Sequence, residues 1–339
     1  MLSLYRSYRP ATFKDVRGQE HVVSVLKSAV EQGKIAHAYL FAGGRGTGKT
    51  SMARILARAL DTTEKDIYEM DAASNRGIDE IRQLREGVST LPFESKYKFY
   101  IIDEAHALTK DAWGAFLKTL EEPPEHVVFV LATTELEKVP DTILSRCQVF
   151  QFKKPTHDIL KKLVLDVAKK EGYTIAPAGA EMIALMGDGS FRDTLGILQK
   201  VLTLSKDEKI SEEEIAKVIG APQGESVDAF LEAIAAKKTG DAVSVFHKAI
   251  AAGAEPEVFT LLVIHKVRGV LLMRFAPNMK EDLAEQFGED EIEFLSKLAK
   301  EGVSINSQLL AELITALLET RRAPLPMVPL ELALYRTLQ

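Results

Sequence analysis

The sequence predicts an α/β domain, a parallel sheet with helices on both faces, followed by a small helical domain and then an all-helical one. Up to about Lys154, short apolar runs of strand length alternate with amphipathic stretches, the pattern of a parallel sheet buried on both sides. From Pro155 the strand-like runs stop, and apolar residues recur at helical spacing with Gly and Pro punctuation. After "GAPQGES" the chain is rich in Ala, Leu and Ile to its end. The expected boundaries are residues 1–155, 156–220 and 221–339, since a chain of 339 residues is too long for one comfortable core.

In order, "AYLFAG", "DIYEMD", "KFYIID", "HVVFVLAT" and "CQVFQF" read as buried strands separated by helical segments. The middle region supplies "THDILKKLVLDVAKKEG", "PAGAEMIALMG" and "SFRDTLGILQKVLTL", each with apolar residues at helical spacing. "SEEEIAKVIG" opens on a capping-box signature, Ser211 and Glu214, and is read as that region's last helix before Gly220. The third region, through "AELITALLETRRAPLPMVPLELALYRTL", needs a bundle or partner subunits to bury its apolar faces.

Composition narrows the function classes. Hydrophobic residues make up 46% and charged residues 27%, as in an ordinary soluble globular protein. A net charge of −6 argues against a chain that coats duplex DNA on its own, though a basic patch on one face is compatible with it. The single cysteine rules out an internal disulfide and a multi-cysteine metal cluster. "MLSLYRSYRP" has no apolar core of signal-peptide length and no run is long enough to span a bilayer, so a cytoplasmic address without membrane partners is expected.

The chemistry concentrates in a few motifs. "GGRGTGKT", Gly43 to Thr50, fits the phosphate-loop pattern after an apolar run and before the helical "SMARILARAL". Its glycines let backbone N–H groups turn toward phosphates, Lys49 neutralises phosphate oxygens, and the Thr50 hydroxyl suits magnesium at a helix N-terminus. "KFYIIDEAH" ends a strand in Asp103 and Glu104, the first carboxylate suited to holding magnesium and the second to polarising an attacking water. "LATTELEKVP" ends another strand in Thr133 and Thr134. Thr134, at the tip, is the preferred water sensor. His106 completes the letters of a DEAH box, but capping or packing of the next helix explains it equally, and it is left without a role.

With these parts in order, the chain resembles the AAA+ clamp-loader ATPases, and within them the bacterial DNA polymerase III gamma/tau family. "LYRSYRPATFKDVRGQEHV", "EMDAASNRGIDEIR", "LKTLEEPP", "TILSRCQVFQF" and "GDGSFRDTLGILQ" carry the resemblance beside the motifs above, over nearly the whole length. Replication factor C small subunits share part of this set, but "LKTLEEPP" and "DAASN" look bacterial.

The resemblance implies an ATP and Mg2+ site between the first two domains, with Gly43, Gly44, Arg45, Gly46, Thr47, Gly48, Lys49, Thr50 and Ser51 around the nucleotide. It places Arg9 near adenine or ribose and makes Arg192 a sensor that reaches the γ-phosphate when the helical domain closes. Arg146, in the serine-arginine-cysteine motif, then faces a neighbouring subunit's site, which accounts for the absence of a following acid before Asp158. The third domain becomes a collar shared with other subunits of a ring that places a sliding clamp on primer-template DNA. A subunit that binds nucleotide without turnover, and a branch-migration or helicase motor, are the alternatives; the first disagrees with the intact Lys49, Thr50, Asp103 and Glu104, and the second with the collar-like end.

One departure stands out. Members of the family usually carry a four-cysteine zinc module after the phosphate-loop helix, whereas here "ARAL" runs into "DTTEKDIYEMD", so the thiolate ligands of such a site are missing. The chain also ends near the expected end of the collar, without the tail of the longer family form. Among smaller signals, Asn75 and Arg76 in "SNRG" precede a helix and are the candidates for DNA contact. Trp113, Phe116 and Cys147 read as core, and Lys153 and Lys154 as a solvated hinge.

Overall fold

The computed structural model describes residues 3–205, 207–222, 225–279, 283, 287 and 289–338. They form two compact units, one comprising residues up to Leu160 together with Gly187–Gly196, the other Lys161–Met186 with the chain from Ile197 onward.

The first unit is built on five parallel strands: β1 (Ala38–Gly43), β2 (Ile67–Asp71), β3 (Lys98–Asp103), β4 (Val127–Thr133) and β5 (Gln148–Phe152), in the order β2-β3-β4-β1-β5. The helices are α1 (Leu4–Ser7), α2 (Glu20–Glu31), α3 (Lys49–Ala59), α4 (Ile78–Val88), α5 (Lys110–Glu121) and α6 (Asp141–Leu144). Successive side chains on a strand point to opposite faces, and both faces here are buried. Leu40, Ile102 and Phe129 join Trp113 and Phe116 of α5 on one side. Tyr39, Phe41, Phe99 and Ile101 join Met52 and Leu56 of α3 on the other. All seven residues of β4 are therefore buried, which is why the central strands read as unbroken apolar runs.

β2 and β5 differ from the buried strands expected of them. Both are edge strands, with a neighbour on one side only, and Tyr68, Gln148, Val149 and Gln151 are exposed. Because the strands are parallel, Gly43, Asp103 and Thr133 end at the same edge of the sheet, where β1 lies between β4 and β5 out of sequence order. Ligands of open parallel sheets bind at such an edge.

The second unit takes in most of α7 (His157–Lys170), which starts in the first, then β6 (Thr174–Ile175), α8 (Pro177–Met186), the part of α9 (Phe191–Leu204) beyond Gly196, β7 (Lys209–Ile210) and α10 (Glu212–Ile219). β6 and β7 pair in parallel, an element missing from the sequence reading because two residues per strand carry no periodicity. The capping box at α10 is present: Ser211 accepts from the Glu214 N–H, and the Glu214 carboxylate accepts from the Ser211 N–H at 2.9 Å.

The remaining helices, α11 (Ser226–Ala235), α12 (Thr239–Ala251), α13 (Pro256–Phe275), α14 (Glu289–Glu301), α15 (Ser307–Thr320) and α16 (Val328–Thr337), enclose a core with Phe230, Phe246 and Phe259 fully buried. Arg274 closes one end, its guanidinium donating to the carbonyls of Leu298, Ala299, Gly302 and Ile305 at 2.6–3.3 Å. Leu298 and Ala299 lie in the last turn of α14, and Gly302 and Ile305 in the chain just beyond it, so the guanidinium gathers carbonyls at that helix's C-terminal end. No helix among the described residues is long and apolar enough to cross a membrane.

Candidate nucleotide-binding site

The loop between β1 and α3 owes its path to its glycines. Gly46 and Gly48 have φ of +70° and +102°, the left-handed region that side-chain-bearing residues avoid. At Gly43 a Cβ would sit 2.5 Å from the Phe152 carbonyl oxygen, so β1 and β5 approach too closely for any side chain. The turn delivers Lys49 as the first residue of α3, where free backbone N–H groups and the helix dipole favour an anion.

Lys49 is 6% exposed, and its ammonium donates to the carbonyls of Gly43 and Gly44 at 2.8 and 2.9 Å. Burial pushes its pKa below the ordinary value, while Glu104 and Asp103 pull it back up. Thr47 also donates to the Gly44 carbonyl, at 2.9 Å, and Arg45 is exposed at the tip of the loop. Ser51 accepts from Nε of Arg9 at 2.9 Å, so Arg9 is held at the first turn of α3.

The two carboxylates stand opposite. Thr50 donates its hydroxyl to Oδ2 of Asp103 at 2.8 Å. Thr134, just beyond β4, donates to Oε2 of Glu104 at 3.2 Å. Glu104 itself has φ +48°, a conformation that the surrounding structure must impose. Lys49, Thr50, Asp103, Glu104 and Thr134 are thus gathered at one sheet edge from three strand ends.

Segment 187–196 changes one expectation. Arg192 was expected to approach the loop only through movement of a separate helical domain, yet Gly187–Gly196 packs with the first unit. The Phe191 N–H donates to the Gly46 carbonyl at 3.0 Å, and a Cβ on Gly46 would collide with Oγ of Ser190. The Arg192 guanidinium lies 5.7 Å from the centre of the Tyr5 ring. Gly46 was legible as a phosphate-loop glycine; that Ser190 packs on it was not.

Arg146 requires a correction too. Sequence proximity suggests an arginine without a local acid, but its Nη2 donates to Oε1 of Glu121, at the end of α5, at 2.9 Å. Nη1 donates to the Thr142 carbonyl at 2.8 Å. No spacing rule links residues on separate elements, so the sequence carried no signal for this pair.

The remaining residues are placed as follows. Asn75 and Arg76 lie exposed between β2 and α4, with the Asn75 amide donating to the Asp71 carbonyl at 3.1 Å. Trp113 and Phe116 are core, and Lys153 and Lys154 are exposed, Lys154 lying 3.4 Å from Asp188. Cys147 packs against the core, and burial pushes its thiol up to about 12. His106, without a role on sequence grounds, lies against Thr133, Glu104 and Glu135.

These residues fit a nucleotide phosphate with a hard divalent cation. The buried Lys49 ammonium makes its direct hydrogen bonds to neutral carbonyls and can exchange them for phosphate oxygens, and the Thr50 hydroxyl with the Asp103 carboxylate is an oxygen donor set of the kind magnesium takes.

Comparison with known proteins agrees with this geometry. A family model described as "DNA polymerase III, delta subunit" matches residues 18–77 and 61–156, and one described as "DNA polymerase III subunits gamma and tau domain III" matches residues 210–339. The DNA polymerase III subunit tau of Bacillus subtilis is 38% identical over 85% of this chain and 55% of its own length. The DNA polymerase III subunit gamma/tau of Mycobacterium tuberculosis is 33% identical over 99% of this chain and 62% of its own. The chain therefore spans a little over half the length of these relatives. Among solved structures, the Thermotoga maritima RuvB Holliday junction branch migration motor superposes with a TM-score of 0.54 at 24% identity, over 67% of this chain and 79% of that one. That likeness establishes the AAA+ fold alone. The matching domain models and the identity to curated relatives along most of the sequence place the chain in the DNA polymerase III gamma/tau family.

Proposed function

We propose that the chain is an ATP-hydrolysing subunit of a clamp loader, acting in a ring with other subunits to open a sliding clamp and place it on primer-template DNA. One observation carries the enzymatic part: Lys49, the Thr50–Asp103 pair and the Glu104–Thr134 pair converge beside a backbone-lined loop at a helix N-terminus. Lys49 and the loop N–H groups bind and orient the phosphates. Thr50 and Asp103 would hold magnesium, which when bound supplies positive charge to the phosphate oxygens. Glu104 accepts a proton from, or polarises, the attacking water, and Thr134 fixes that carboxylate. Arg9 and Arg192 add positive charge at the rim, and Arg146 serves a neighbour's site.

In this reading the chain comprises three domains, residues 1–155, 156–220 and 221–339, the last forming the collar, and works in the cytoplasm. Asn75 and Arg76 are its candidates for DNA contact. Loading a clamp requires that affinity for clamp and DNA differ between nucleotide states, so turnover must be coupled to both.

The test is calorimetric and kinetic. Lys49→Ala should abolish ATP binding, whereas Glu104→Gln should bind ATP and fail to turn it over. Undiminished affinity in Lys49→Ala would defeat the site assignment, and binding without turnover in the unaltered chain, assembled with its partners, would make it a scaffold.

A further inference from the structure

The turn after Glu104 carries a histidine that the proposed reaction leaves unused. Oε2 of Glu104 accepts from the Thr134 hydroxyl at 3.2 Å and lies 3.5 Å from Nδ1 of His106, and neither contact uses Oε1. The His106 side chain is 15% exposed, with Nδ1 3.1 Å from Oγ1 of Thr133 and Nε2 3.1 Å from Oε1 of Glu135. Lys138 sits 2.6 Å from Oε2 of Glu135, and its hydrogen bond is the main reason the Glu135 carboxyl is held below the usual range.

These partners constrain the imidazole. An ionised carboxylate only accepts, so Nε2, facing Glu135, must carry a proton. The state of Nδ1 then sets the sign of the Glu104 contact. As an N–H it donates toward Oε2 and Thr133; as a lone pair it accepts from the Thr133 hydroxyl and repels Oε2. The groups facing His106 are Glu104 on its own turn, Thr133 and Glu135 from the end of β4 and the loop beyond, and Lys138 behind Glu135.

We propose that His106 is a positioning residue for Glu104: its ring spans Glu104 and Glu135, and Nδ1–H, with the Thr134 hydroxyl, holds Oε2 so that Oε1 is presented to the attacking water. Glu135 and Lys138 anchor the ring from the far side. This rests on the ATPase reading above and adds to it a residue that orients the proposed catalytic carboxylate.

Two measurements test it. In steady-state ATPase assays, His106→Ala should lower kcat roughly tenfold, the scale of one hydrogen bond to a charged group, with KM for ATP unchanged. His106→Gln, which keeps a donor, should recover part of the rate. Separately, the Nδ1 resonance of His106 in the nucleotide-free chain should respond to Glu104→Gln in nitrogen NMR and remain unmoved by Glu121→Gln. An unchanged kcat in His106→Ala, or an Nδ1 resonance indifferent to Glu104→Gln, overturns the proposal. If the unaltered chain has no ATPase activity the functional reading fails instead, and the NMR arm still decides whether the His106–Glu104 contact exists.

Discussion

Nη2 of Arg146 donates to Oε1 of Glu121 at 2.9 Å, tying the start of β5 to the last turn of α5. An acid there opposes the helix dipole, so Arg146 compensates a locally unfavourable charge. The two side chains are 35% and 46% exposed, and an exposed pair contributes only about 0–1 kcal/mol. Arg146 is therefore easily released to another partner. Glu121→Gln should shift unfolding free energy in urea by less than about 1 kcal/mol. Arg146→Ala should leave ATP binding intact while crippling hydrolysis in the assembled ring, where arginine fingers are worth about 10³- to 10⁵-fold. Mixing Arg146→Ala with Lys49→Ala chains should restore part of the activity, and no recovery in confirmed mixed rings would return Arg146 to a surface role.

Gly46 makes a second case. Any Cβ there meets Oγ of Ser190, and φ of +70° strains it regardless of space. Gly46→Ala should weaken nucleotide binding by displacing segment 187–196, and Gly46→Ala with Ser190→Gly should recover only part of the loss, because the backbone strain stays. Full recovery in the double variant, measured by calorimetry, would show that strain is unimportant.

Asp66 predicts an acid limb in stability. Its side chain is fully buried and accepts the N–H groups of Phe93, Glu94 and Ser95 at 2.5, 3.0 and 2.9 Å. Burial alone would raise its pKa, but these donors and the Ser95 hydroxyl outweigh it and hold the carboxyl below its ordinary value. A depressed folded pKa means stability present above the unfolded value and lost as pH falls through the folded one. Asp66→Asn should cost about 2–3 kcal/mol at neutral pH, and the gap to the unaltered chain should narrow below about pH 4. A gap that stays constant into acid would refute the assignment.

Cys147 should be inert while the chain is folded. With its thiol pushed up to about 12 by burial, the thiolate population at pH 8 is negligible. Labelling with an aromatic disulfide reagent should be slow in buffer and complete in denaturant; rapid labelling of the native chain would contradict the packing.

Much of the candidate site is legible in the sequence. The phosphate-loop pattern is a contiguous motif, so Gly43 to Thr50 and their position at the start of α3 followed from spacing. Asp103 and Glu104 were legible for a related reason, since a polar pair terminating a buried apolar run marks the functional edge of a parallel sheet. Trp113 and Phe116 declared themselves as core by helical spacing.

What spacing does not encode is proximity between distant segments. Periodicity reports which face of an element is apolar and is silent on which element lies against it. Hence β2 and β5 read as buried, although sheet order makes them edges. Ser190 on Gly46, Glu121 on Arg146 and His106 between Glu104 and Glu135 became visible through long-range packing alone. Chemistry written in local sequence specified the phosphate loop and its carboxylates. The partners that orient those groups came from the folded chain, because hydrogen bonds between separate elements depend on how the elements pack and leave no periodic trace.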